Sequence, residues 1–144
     1  MHARDILKNK GNRIVSAKRD TSVAEVSRIL HDNKIGAVLV LDGSGRIAGI
    51  LSERDIVNGM ARHGAGVAGL TVGALMTREV MTCRPTDLIA DIMGTMTAKR
   101  IRHLPVVDEG RLLGIVSIGD VVKHRLDEAV HEVESLREYV MTAH

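Results

Sequence analysis

Two short stretches of this chain carry residues whose types and spacing suit them to hold a polar small molecule: GILSERD at Gly49–Asp55 and GIVSIGD at Gly114–Asp120. In each, an apolar run ends in a serine (Ser52, Ser117), and an acid stands three residues further on (Asp55, Asp120), where the first turn of a helix is expected. A carboxylate placed there can accept two hydrogen bonds from a vicinal diol. The N–H groups of the same helix start, with the helix dipole, favour phosphate. Ribose with phosphate is therefore the ligand such a corner suits. One isolated copy would be better read as a serine N-cap with an acid complementing the helix dipole. Two copies, 65 positions apart in matched surroundings, shift the balance towards binding.

Those surroundings are a tandem repeat. Residues Thr21–Val57 align with Thr86–Val122, with a single residue slipped in and out between. A chain of 144 residues can build one ordinary core. Two halves, each small on its own, are expected to fuse into one body with two pseudo-equivalent clefts. Each repeat reads βαββα. A short apolar stretch (Ile14–Ser16, Val80–Thr82) precedes a helix, started by Ser22 with Glu25 in capping-box spacing and, in the second repeat, by Thr86 or Asp87. Val23, Val26, Ile29 and Leu30, and in the second copy Leu88, Ile92, Met93 and Met96, then share one helical face. Two strands follow, Ala37–Leu41 with Ile47–Leu51 and Leu104–Val107 with Leu112–Val116, joined by glycine-containing loops and apolar enough to be buried on both faces. Pro105 lacks a donor, so its strand should lie at a sheet edge or begin there. The closing helix starts at Glu53 or Arg54, and its counterpart at Ile118 or Gly119.

The divisions are 1–60 for the first repeat with its lead-in, 61–79 for a glycine-rich linker and second lead-in, 80–124 for the second repeat, and 125–144 for a helical extension reaching about Met141. The linker is expected to be mobile. On the extension, Leu126, Ala129, Val133, Leu136 and Val140 follow a 3-4 spacing. Packing on its own domain and pairing in a dimer both fit that pattern.

Ahead of their hairpins the halves differ. KRIRHLPV places Lys99, Arg100, Arg102 and His103 before Leu104, whereas NKIGAVLV has Gly36 and Ala37 where Arg102 and His103 stand. Alternation along a strand directs Arg102 and His103 to opposite sides, so at least one can face a cleft, and anion binding should be unequal. The plainer alternative is a solvated basic edge that discourages sheet association.

Other chemistries are weakly supported. GSGRIA at Gly43–Ala48 fits G-x-G-x-x-G/A but opens a strand where a dinucleotide site needs a helix, so it reads as a hairpin turn. None of the seven histidines stands in an i,i+4 pair or beside a CxxC, and no metal site is expected. No nucleophile elbow, HExxH or P-loop occurs, Cys83 reads as a quiet buried thiol, and no enzyme is expected. Balanced charge (20 Lys plus Arg, 18 Asp plus Glu) and a single aromatic, Tyr139, disfavour nucleic acid. The lack of a signal segment or an apolar run near about 18 residues argues against a membrane partner and for a cytoplasmic protein. The lone cysteine suits a reducing compartment.

Together, the doubled βαββα order, the RHLPVVD stretch at Arg102–Asp108 and the paired G-h-h-S-x-x-D junctions (h apolar) resemble a tandem pair of CBS domains, the Bateman module. RDIL at Arg4–Leu7 and VGALMT at Val72–Thr77 look like the lead-ins of such repeats. The resemblance implies an α+β (α/β-type) fold of two repeats packed about a pseudo-twofold axis, commonly dimerised, with adenosine nucleotides in the clefts between repeats. Carried over by position, Asp55 and Asp120 are the ribose acceptors, with Ser52 and Ser117 beside them. Arg102 and His103 would serve phosphate in the Asp55 cleft, Arg54 is a further phosphate candidate, and Lys34, Ile35 and Gly36 border the Asp120 cleft. Adenine would lie among aliphatic walls and strand backbone near Ser16, Ala17 and Lys18 and near Met81, Thr82 and Cys83. The function implied is a non-catalytic regulatory module that binds AMP, ADP, ATP or NAD(H) and signals energy or redox state to an unidentified partner, as a homodimer. The alternative is a scaffold or oligomerisation module with vestigial clefts. Gly36 and Ala37 depart from a symmetric pattern and weaken the case for phosphate in the Asp120 cleft.

Overall fold

The computed structural model describes residues 1–11 and 13–143. They form two compact units, one of residues 14–80 and one of residues 1–13 with 81–144.

In the 14–80 unit, β1 (Ser16–Ala17) pairs in parallel with β2 (Ala37–Leu41), and β2 pairs antiparallel with β3 (Ile47–Ser52). Ala37, Val38, Leu39 and Val40 are all buried, which is why this run is apolar without alternation. Between β1 and β2 lies α2 (Val23–Asn33), capped by Ser22, whose side chain accepts from the N–H of Glu25 at 3.1 Å. Val23, Val26 and Leu30 turn inward from it. After β3 come α3 (Glu53–His63), a 3-10 turn at Gly64–Gly69 and the short α4 (Val72–Leu75).

The glycine-rich linker thus takes regular structure, a 3-10 turn followed by a short helix. Its glycines are interrupted by Val67, which is 4% exposed, and burial of that side chain fixes the turn against α3. Residues Thr77 and Ile50 then exchange backbone hydrogen bonds at 2.9 Å each way, tying the second lead-in to β3.

The other unit holds α1 (Ala3–Lys10), α5 (Ile89–Lys99), the hairpin of β4 (His103–Asp108) and β5 (Arg111–Ser117), and α6 (Ile118–Thr142). Glu109 and Gly110 both have positive φ (48° and 76°), which is the type I′ geometry a two-residue hairpin favours. The hairpins match: each has a register shift near its end, between Val40 and Leu41 and between Val106 and Val107.

Residues 1–13, the lead-in of the first repeat, fold in one compact unit with residues 81–144. Ala3, Ile6 and Leu7 are buried in a core with Ile89, Ile92, Leu104 and Val116. Val80–Thr82 forms no strand; only Cys83 bridges to Val106 in parallel. In that bridge the Cys83 N–H donates to the Pro105 carbonyl at 2.9 Å, so the missing donor of Pro105 falls on the side away from β5. The first-repeat strand is Ser16–Ala17, with Ile14 and Val15 ahead of it. Neither Thr86 nor Asp87 caps α5; the N-cap is Leu88, and Asp87 instead accepts from the N–H of Arg84 at 2.9 Å. Leu88 is exposed, and Ile89 takes the inward place expected of it.

The last helix runs on as expected but leaves the core early. Val121 and His124 are its buried residues, and every described residue from Ala129 onward is exposed. Leu126, Val133, Leu136 and Val140 therefore do not pack on their own unit. No helix among the described residues is long and apolar enough to cross a membrane.

Candidate functional site

Both strand-to-helix junctions fold as reciprocal caps. Ser52 is the N-cap of α3: its hydroxyl accepts from the N–H of Asp55 at 3.4 Å, and the Asp55 Oδ2 accepts from the N–H of Ser52 at 2.9 Å. Ser117 and Asp120 repeat this at the start of α6, with distances of 3.2 Å and 3.0 Å. The spacing of serine and acid is what a capping box requires. It also turns each carboxylate back over the strand end instead of into bulk solvent. Asp55 and Asp120 are both half-buried.

The first N–H of each helix is taken by the strand segment beside it. Glu53 donates to the Gly36 carbonyl at 3.0 Å and Ile118 to the Arg102 carbonyl at 2.8 Å. Ala37 faces Ser52 across the first hairpin and His103 faces Ser117 across the second. Gly36 with Ala37 and Arg102 with His103 are therefore structural equivalents. Lys34 and Arg100 are equivalent too, each ending its helix in the left-handed conformation at φ 54°. Arg102, Arg54 and Lys34 are exposed; Ile35, Gly36 and His103 are half-buried.

The two corners differ in what closes the acid, and the closing groups come from the lead-ins. At Asp55, Oδ1 accepts from the Thr77 hydroxyl at 3.1 Å, while Oδ2 holds Ser52. At Asp120, Oδ2 accepts from the Lys10 ammonium at 2.8 Å, and the same ammonium donates to the Ile115 carbonyl at 3.0 Å. Ile50 and Ile115 are equivalent, so one ammonium does what the backbone and hydroxyl of Thr77 do together in the other unit. Asp120 Oδ1 has no donor among the described residues. Burial opposes ionisation of Asp120, but the Lys10 hydrogen bond and the Ser117 N–H outweigh it and hold its carboxyl below the ordinary value.

Lys10 and Thr77 were not singled out in the sequence. The usable signal is the lead-in pattern itself: Leu7 packs against Gly114 and Met76 against Gly49, which sets Lys10 and Thr77 over their acids.

Of the residues expected near adenine, Cys83 is buried, and its backbone N–H and carbonyl both bond to β4, at 2.9 Å and 2.8 Å. Ala17 is buried and Ser16 and Lys18 are exposed, the latter donating its N–H to the Thr21 hydroxyl at 3.1 Å. Met81 and Thr82 are exposed and outside any strand. Among the described residues no three His, Cys, Asp or Glu side chains are grouped as a metal ion would need.

Duplicated hairpins, each feeding a serine-capped helix with an acid in its first turn, define a class of small tandem-repeat proteins. The family described as CBS domain matches residues 3–62 and again 72–127, and the chain belongs to that family. It is 31% identical over 144 residues to the mitochondrial CBS domain-containing protein CBSX3 of Arabidopsis thaliana, covering 94% of this chain and 70% of that one. A CBS-domain containing protein of Agrobacterium tumefaciens, solved as a crystal structure, is 42% identical, with a TM-score of 0.85 over 87% of this chain and 99% of the other. The CBS domain pair of protein MJ0100, solved in complex with 5′-methylthioadenosine and S-adenosyl-L-methionine, is 26% identical, with a TM-score of 0.78 over 89% and 98% of the two chains.

Proposed function

We propose that this protein is a regulatory module that binds an adenosine-containing ligand at its Ser52–Asp55 and Ser117–Asp120 corners and passes the bound state to a partner protein. The observation that carries this reading is the same cap geometry built twice, with a half-buried carboxylate at each strand end. The ligands of the related MJ0100 pair support it, because both contain adenosine and so present a ribose diol. AMP, ADP, ATP and NAD(H) share that diol and add phosphate, for which Arg54, Arg102 and His103 are the side chains proposed. A ligand regulates such a module only through unequal affinity for two arrangements of it.

Thermal melts test the reading. A ligand at 100 times its dissociation constant stabilises by about 2.7 kcal/mol. The expected result is a rise in melting temperature with AMP, ADP, ATP or NAD(H) that shrinks in Asp55→Ala and in Asp120→Ala. No rise with any adenine nucleotide would favour the scaffold reading instead.

We also propose pairing with a second copy through α6. Leu126, Val130, Val133, Leu136 and Val140 are between 49% and 64% exposed on this helix, an apolar stripe that its own unit leaves uncovered. Along the exposed stretch Lys123 and Arg125 precede Asp127, Glu128, Glu132, Glu134 and Glu138, with Arg137 among the acids. Antiparallel pairing of this stretch sets Lys123 and Arg125 of one copy against Glu134 and Glu138 of the other.

A further inference from the structure

We propose that Lys10 is a specificity-determining residue of the Asp120 corner, one that makes it prefer a nucleoside carrying a phosphate over the uncharged nucleoside. The inference rests on the adenosine-ligand reading above and adds to it which charge state the corner selects.

The physical basis is the difference in what each carboxylate already holds. Asp55 has both oxygens engaged by neutral donors: Thr77 on Oδ1, and the N–H and hydroxyl of Ser52 on Oδ2. Its negative charge is uncompensated within that set, and no ammonium lies on the carboxylate as Lys10 does on Asp120. Asp120 is paired at 2.8 Å with an ammonium, and among the described residues its Oδ1 takes no donor. An ammonium has three protons. Two of those on Lys10 point to Asp120 and to the Ile115 carbonyl, which leaves one. An acceptor oxygen and a spare cationic donor thus lie side by side, with their charges cancelling. A ribose hydroxyl can donate to Oδ1 while a phosphate on the same nucleoside accepts from Nζ.

Lys10 is placed for this by more than chance exposure. It closes α1, whose Ala3, Ile6 and Leu7 are buried in the core of this unit, and the side chain of Leu7 lies against Gly114 of β5. The Lys10 side chain is 36% and the Asp120 side chain 26% exposed, so the pair is reachable by a ligand yet partly shielded from solvent. At such a position a charge contact is worth more than at a fully exposed one, though still screened by salt.

Isothermal titration calorimetry with adenosine and with AMP tests the assignment, carried out in an Asp55→Ala background so that the Asp120 corner is read alone. The expected result is that Lys10→Met lowers the preference for AMP over adenosine by about tenfold, leaving adenosine binding little changed, and that Lys10→Arg restores the preference. A factor of ten corresponds to about 1.4 kcal/mol. Thr77→Val in the Asp120→Ala background should leave the ratio at the other corner unaltered. If adenosine and AMP both bind and the ratio is the same with Lys10 and with Met, the inference is overturned while the nucleotide reading stands. If neither ligand binds the wild-type protein, the nucleotide reading has failed first. Should Lys10→Met weaken both ligands alike, Lys10 only props the corner open and the assignment is also overturned. The carboxyl titration of Asp120, followed by NMR, confirms that the pair was broken: without the ammonium its pKa should rise.

Discussion

Single side chains set how closely each lead-in can approach its strand, and two glycines permit that approach. A Cβ added at Gly49 would stand 2.7 Å from both the sulfur of Met76 and the backbone carbonyl of Thr77. At Gly114 its three nearest contacts would all be atoms of the Leu7 side chain, the closest a terminal methyl at 2.7 Å. A leucine terminus can swing away; a carbonyl held in a ladder cannot. Gly49→Ala should therefore cost about 1–3 kcal/mol, and Gly114→Ala clearly less. Urea midpoints at unchanged m-value check the order, and equal losses would contradict it.

Cys83 offers a second test at this scale. Burial, with Asp87 adding to it, pushes its thiol from 9.0 up to about 12. The folded state keeps the proton where the unfolded chain gives it up. Its stabilising contribution is thus complete below pH 9.0 and lost as the pH rises towards about 12. At neutral pH the native thiol should react with a thiol reagent only as fast as the surrounding structure opens, and urea should expose it.

At the scale of elements, the strongly patterned segments were legible and the weakly patterned ones were not. The helix starts at Glu53 and Ile118, both hairpins and the length of α6 follow from apolar runs, glycine-bearing turns and serine–acid spacing. The failures have physical causes. Leu88 and Ile89 are adjacent apolar residues at a helix start, so periodicity cannot decide which turns inward until the cap is known. Val80–Thr82 has strand-like composition but finds no ladder there; the single bridge at Cys83 is all that forms. At the candidate site, the serines and acids were visible because they are four residues of one motif. Lys10 and Thr77 were not, since they reach their acids from 110 and 22 residues away.

The same limit left open what α6 pairs with, and its exposed stripe now makes a prediction. Leu126→Glu with Leu136→Glu should convert a dimer to a monomer in sedimentation equilibrium. Neither side chain is buried in its own unit, so the isolated chain should lose no more than about 0.5 kcal/mol. A wild-type monomer at all accessible concentrations would remove the proposed second copy.

At the scale of the whole molecule, the chain is not folded in the order in which it is written. The first 13 residues complete the unit of the last 64, and 14–80 closes on itself. The core of 14–80, built on Val26, Leu30, Val38, Val40, Leu51 and Val72, includes no residue from α1. The other core takes Ala3, Ile6 and Leu7 from it, and the backbone is stitched as well: Ala3 donates to the Asp87 carbonyl at 2.9 Å and Ile89 to that of Met1 at 3.0 Å. Burying Ile6 and Leu7 stabilises by about 1.5–3 kcal/mol each, a large part of the roughly 5–15 kcal/mol that holds a domain folded. Removing residues 2–13 should therefore unsettle the far end of the sequence and spare the near one. Hydrogen exchange resolved by peptide should show protection lost across α5, β4 and β5 and kept across α2, β2 and β3. The deletion also removes Lys10, but one partly exposed ion pair contributes about 1 kcal/mol, too little to unfold a sheet. To separate the two effects, Lys10→Met alone should keep the exchange pattern of the intact protein. Loss of protection in residues 14–80 on removing α1 would mean that the amino-terminal helix supports the first repeat after all.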